Sequence, residues 1–95
     1  MNRCEIDVEA RQDLRAIYEY IACDSRRKAR RMMVRQRDRF KLLAANPEMG
    51  ESRDDLMPGL RCVTIGNYVV FFRATKRGVD IVRVIHGARD FDELF

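Results

Sequence analysis

Ninety-five residues, 46% hydrophobic and 36% charged, describe one ordered domain spanning 1–95 and leave no room for a second core. The longest apolar run, Tyr68 to Phe72, falls far short of the roughly 20 residues that span a bilayer. Met1-Asn2-Arg3-Cys4-Glu5 also lacks the apolar stretch of a secretory leader, so the chain is expected in the cytoplasm, away from membranes. The net charge of +4 rests mostly on arginine, the residue suited to planar contact with carboxylates and phosphates. It points to an anionic partner, either an acidic protein or a nucleic acid.

In chain order, Arg3 to Asp7 alternates, with Cys4, Ile6 and Val8 on one side, which is the period of a half-buried strand. Asp7 can accept from the amides of the next turn, and Leu14, Ile17, Tyr18 and Ile21 then recur at helical spacing, predicting a helix from about Val8 to Ala22. Asp24-Ser25 offers N-caps for a second helix, about Arg26 to Ala45, with Ala29, Met33, Phe40 and Leu43 as its apolar stripe and Asn46-Pro47 as its end.

Asn46 to Gly59 is polar and punctuated by Pro47, Gly50, Pro58 and Gly59, a surface loop. Leu60–Ile65, Tyr68–Ala74 and Val79–Ile85 are rich in β-branched and aromatic residues, and Gly66-Asn67 and Lys76-Arg77-Gly78 supply two hairpin connections. If Gly66-Asn67 is the whole loop, Ile65 pairs with Tyr68. Arg61, Val63, Ile65, Tyr68, Val70 and Phe72 then share one sheet face, and Leu60, Cys62, Thr64, Val69, Phe71 and Arg73 share the other. Asp90 to Phe95 has room for one turn. The fold class is therefore α+β in the order β-α-α-β-β-β: an N-terminal strand, then a two-helix hairpin packed on a small antiparallel sheet, with a short C-terminal turn.

Three cysteines, Cys4, Cys23 and Cys62, are widely spaced and form neither a C-x-x-C pair nor a disulfide framework. With a single histidine in the chain, no metal and no cofactor is implied.

Several motifs stand in this order: Ala10-x-x-Asp13-Leu14-x-x-Ile17-x-x-Tyr20-Ile21, Asn46-Pro47-Glu48-Met49-Gly50, Pro58-Gly59-Leu60-Arg61, Tyr68-Val69-Val70-Phe71-Phe72-Arg73 and Ile81-Val82-Arg83-Val84-Ile85-His86-Gly87-Ala88-Arg89-Asp90. Together they resemble the ParE branch of the ParE/RelE superfamily of type II toxins, and the last run is the specific one. Phe72 stands where that family more often has tyrosine. The resemblance implies a toxin that poisons DNA gyrase when free and serves plasmid or chromosome maintenance. It also implies neutralisation by a small antitoxin whose C-terminal segment, expected to be acidic, wraps the toxin. Target contacts would fall on Arg61, Arg73, Arg83, His86, Arg89 and Asp90, and antitoxin contacts on Leu14, Ile17, Tyr18, Ile21, Arg27, Arg30 and Arg31.

The RelE-like branch of the superfamily instead cleaves messenger RNA on the ribosome, which requires a proton acceptor, a proton donor and cations for the phosphorane. Here Arg61, Arg83, His86 and Arg89 are the available performers, and Val70 occupies the mid-strand position where that branch usually has a basic residue. A third possibility is an inert partner or a DNA-binding module on the same fold. His86 can equally be a ring that caps a strand end, and Arg89-Asp90 an exposed pair that only holds the C-terminal turn. Arg83 needs Asp80, Asp90 or Glu93 as partner, or an open face from which to reach solvent.

The second helix breaks a local rule: nine basic residues against Asp38 lie between positions 26 and 41, crowding the end where the macrodipole favours anions. Either Asp24, Glu48 and the acids of the first helix relieve this face, or it docks an acidic antitoxin or DNA. No aromatic side chains interleave with it, so it lacks the stacking motif of single-strand binders, and sequence-specific nucleic-acid binding is not expected.

Overall fold

The computed structural model describes residues 2–88 together with Phe95. The elements are β1 (Arg3–Ile6), α1 (Val8–Ala22), α2 (Arg26–Ala45), a 3-10 turn (Pro47–Met49), β2 (Glu51–Ser52), β3 (Leu60–Ile65), β4 (Tyr68–Thr75) and β5 (Gly78–His86). Both helices fall on the predicted spans. The Ser25 hydroxyl caps α2 by accepting from the Lys28 amide at 3.2 Å. Asp7 occupies the N-cap position of α1 but makes no side-chain cap bond. Its carboxylate is turned towards Arg73, 4.0 Å away.

The five strands form one sheet in the order β1-β5-β4-β3-β2. The expected antiparallel sheet is thus mixed, because β1 pairs parallel with β5, Arg3 opposite Gly78 through Ile6 opposite Ile81. Val79, Ile81, Val84 and Ile85 of β5 are buried, and a strand so apolar is most stable with partners on both sides. The helical hairpin supplies the crossover that parallel pairing needs. Gly78 makes this junction possible: its φ is +149°, and a Cβ there would lie 1.9 Å from the Arg3 carbonyl oxygen. Within the expected loop, residues 51–52 pair with β3 as a two-residue edge strand.

Ile65 faces Tyr68 across Gly66-Asn67, so the β3–β4 register and the two face assignments stand as read from the sequence. Gly66, at φ +64°, supplies the left-handed residue of that turn. The helical hairpin covers one face, burying Ala10, Leu14, Phe40 and Leu43 against Ile65, Val70, Phe72, Ile81 and Val84. On the opposite face Leu60, Phe71 and Ile85 are buried beneath Leu56, Met57 and Phe95, with the Phe71 and Phe95 rings 4.8 Å apart.

Candidate functional site

The apolar alternation of β5 breaks at Val82-Arg83. Phe71 opposes Arg83 and Phe72 opposes Ile81, leaving Val82 without a ladder partner. An extra residue in one strand kinks it and re-aims the side chains that follow. Ile81 and Val84 consequently both pack under the helices, and the guanidinium of Arg83 reaches α1. Its Nε and Nη2 donate to the two carboxylate oxygens of Asp13 at 2.7 and 3.0 Å, and Nη1 reaches Glu9 at 3.5 Å. Asp13 also accepts from the Val84 amide at 2.9 Å. The hydrogen bonds to Asp13 hold the guanidinium above its already high range. Arg83 is thus paired, but from α1. Asp80 is not its partner, and Asp90 and Glu93 lie outside the described residues. Asp13 of the helical motif thus fastens β5 to α1.

Arg61 is also occupied within the fold. Its Nη2 donates to the carbonyls of Glu48, at 3.3 Å, and Gly50, pinning the 3-10 turn to β3. Arg73 is exposed on β4 beside Asp7. His86, exposed at the end of β5, accepts the Ala88 amide on Nδ1 at 3.1 Å, and its ring stands edge-on to Tyr68 with centroids 5.6 Å apart. The candidates are therefore dispersed: Arg61 and Arg83 lie on strands separated by β4, and His86 lies at the hairpin end of the sheet. Arg89 and Asp90, like the expected C-terminal turn, lie outside the described residues.

The residues assigned to partner contact divide in the same way. Leu14 is 7% exposed and belongs to the core. Ile17 and Ile21 line a groove of about 690 Å³ between α1, α2 and the β3–β4 turn, together with Met32, Ile65, Tyr68 and His86. Tyr20, 81% exposed, stands at its mouth with Arg35 opposite. Tyr18 and Arg30 line a separate depression on the other flank of the hairpin. Arg27 and Arg31 point to solvent from α2. Sequence reasoning expects an antitoxin helix in a groove flanked by the two helices, with Ile17 and Ile21 in contact; it does not join Met32, Ile65 and Tyr68 to them, because those walls come from elements far apart in sequence.

Among the described residues no group of three or more His, Cys, Asp or Glu is placed to hold a metal, and no helix is long and apolar enough to cross a membrane.

A solved structure described as a chromosomal ParDE TA system from P. aeruginosa superposes with a TM-score of 0.74, at 25% identity over 90% of this chain and 96% of that one. The family model described as ParE toxin of type II toxin-antitoxin system, parDE, matches residues 4–91, and the chain belongs to that family. Among curated relatives, Toxin ParE1 of Mycobacterium tuberculosis is 42% identical over 50 residues, 52% of this chain and 51% of that protein. Toxin ParE3 of Caulobacter vibrioides is 38% identical over 48 residues, 50% and 48% of the two chains. The chain thus matches about half the length of these relatives.

Proposed function

We propose that this type II toxin arrests growth in the cytoplasm by binding and poisoning DNA gyrase, without catalysing RNA cleavage. The observation that carries the choice between the two branches is the commitment of the cations. A phosphoryl-transfer centre needs guanidinium groups free to meet a phosphorane, and here Arg83 is held bidentate by Asp13 and Arg61 by main-chain carbonyls. Nδ1 of His86 is engaged with the Ala88 amide; Arg61 lies two strands away from it, and Arg83, three residues earlier on β5 itself, is turned to α1. Arg73 and His86 retain exposed side chains for a target surface, with Arg89 and Asp90 as their continuation in sequence.

Neutralisation follows from the groove. An amphipathic segment of a cognate antitoxin can lay apolar anchors against Ile17, Ile21 and Met32, using Tyr20 as a rim contact and Arg35 as partner for an acidic residue. Such a segment covers His86, so antitoxin binding and target contact at that residue exclude one another.

Inducible expression of the chain alone tests the proposal. Loss of negative supercoiling and a DNA-damage response, with normal messenger-RNA decay, are expected. Ribosome-dependent cuts in messenger RNA with normal supercoiling would reverse the order of the two branches.

A further inference from the structure

The outer face of α2 carries charge that the fold does not answer. Between Arg26 and Lys41 stand seven arginines, two lysines and Asp38, a formal +8. The rest of the chain holds ten basic and fourteen acidic residues, a formal −4, so the modest net charge conceals a strong asymmetry. All nine cations are exposed. Among the described residues one ion pair touches them, Arg37 with Asp38 at 3.6 Å, and both of those side chains are largely solvated. Of the described acids, Glu9 and Asp13 hold Arg83, neither Asp24 nor Glu48 pairs with a cation of α2, and Glu19, which shares a depression with Arg26 and Arg30, forms no ion pair with them.

Helix geometry sorts these charges into rows. Arg27, Arg31, Arg35 and Arg39 follow in steps of four residues, about 6 Å apart and about 18 Å end to end at 1.5 Å per residue, the row winding from the outer face at Arg27 and Arg31 to the groove rim at Arg35. Like charges so spaced repel by a few tenths of a kcal/mol per pair, and those near the N-terminus also oppose the macrodipole. An external polyanion relieves both.

An acidic protein segment and a nucleic-acid backbone are the two candidates, and the composition of the face separates them. A protein interface needs an apolar or aromatic centre sealed from water. Between its cations this face offers Val34 and Leu42, each about half exposed, and no aromatic ring. Seven of the nine cations are arginines, whose fork matches phosphate oxygens. A duplex strand presents a phosphate about every 3.4 Å along its axis, so a row of about 18 Å lies alongside about five of them. Stacking aromatics are a requirement of single-strand binding, not of duplex backbone contact. We propose that the outer face of α2 binds the phosphodiester backbone of duplex DNA without sequence preference, leaving the apolar anchors of the groove free.

The test uses the full chain and a labelled random-sequence duplex of about 20 base pairs, followed by anisotropy between about 50 and 200 mM salt. With four to five phosphates neutralised, log K falls against log salt with a slope of about −4, a loss of a few hundred-fold across that range. Replacing Arg27, Arg30 and Arg31 together by Gln flattens the slope by about 3 and leaves the circular dichroism and melting intact, because these side chains are solvated. Three outcomes overturn the proposal: no binding at low salt, a folded Gln variant with the parental slope, or a poly-glutamate probe that uses the same arginines and binds more tightly than the duplex. Naked DNA and the free chain are the only components, so failure here leaves the gyrase proposal standing, and the reverse holds too.

Discussion

Asp13→Ala removes the acceptor around which β5 is fastened to α1. Three hydrogen bonds end on that carboxylate, two from Arg83 and one from the Val84 amide, and both charged side chains are 16% exposed. Deleting one partner of a buried, hydrogen-bonded pair costs about 3–5 kcal/mol, because the other charge is left desolvated. Some water reaches this site, and Glu9 stays 3.5 Å from the abandoned guanidinium, so the lower end, about 3 kcal/mol, applies. At about 4–8 °C per kcal/mol for a domain of this size, Tm falls by about 12–24 °C. Thermal and urea unfolding of Asp13→Ala, Arg83→Ala and the double variant give the coupling directly, expected near 2 kcal/mol. Replacing both by Leu and Met, respectively, recovers most of the loss, since no charge is then stranded. A loss below about 1 kcal/mol for Asp13→Ala, or a coupling near zero, would mean that Arg83 is not held by α1, and the argument from committed cations would fall with it.

Three further outcomes follow from other sites. Burial pushes the Cys4 and Cys62 thiols up, with Asp80 adding to the effect at Cys4, so both stay protonated at neutral pH; iodoacetamide is expected to modify exposed Cys23 first, and equal rates at Cys62 would contradict this. Asp54 accepts from the Gly59 amide at 2.8 Å and the Ser52 hydroxyl at 3.0 Å, and Asp55 accepts from Arg53, which holds both carboxyls below the usual range. A depressed carboxyl stabilises the fold above its unfolded value of about 3.9 and loses that contribution as pH falls through the folded one. The Gly59 amide should therefore stay protected from exchange down to about pH 4 and lose protection below it; loss already near neutrality would exclude Asp54 as the cause. His86→Gln keeps a polar side chain at the groove edge and should lower toxicity without abolishing it, whereas complete loss in a folded variant would favour acid–base catalysis.

The helices and the meander were legible because their signals are local: helical spacing in Leu14, Ile17 and Ile21, the Ser25 cap, and the Gly66-Asn67 turn that sets the β3–β4 register. What escaped depends on residues far apart in sequence. Pairing of β1 beside β5 joins positions 3–6 to 78–81 and follows from the need of a buried strand for two neighbours. The bulge at Val82 cannot be seen in an alternation pattern, yet it decides that Arg83 finds Asp13, 70 positions away, instead of the nearby Asp80. Leu14 shared its periodicity with Ile17 and Ile21, but the helix turns it into the core while they wall the groove. The family was legible in the order of its motifs, and the family model spans residues 4–91 in agreement.

The central claim is inhibition of a DNA-bound enzyme by a toxin whose arginines are not poised for catalysis. Its most direct test is a supercoiling assay with purified gyrase, relaxed plasmid and the purified toxin, run beside ribosomes programmed with messenger RNA. Loss of supercoiling or accumulation of cleaved plasmid, with the messenger intact, is the predicted result; an uninhibited gyrase and a cleaved messenger would contradict it.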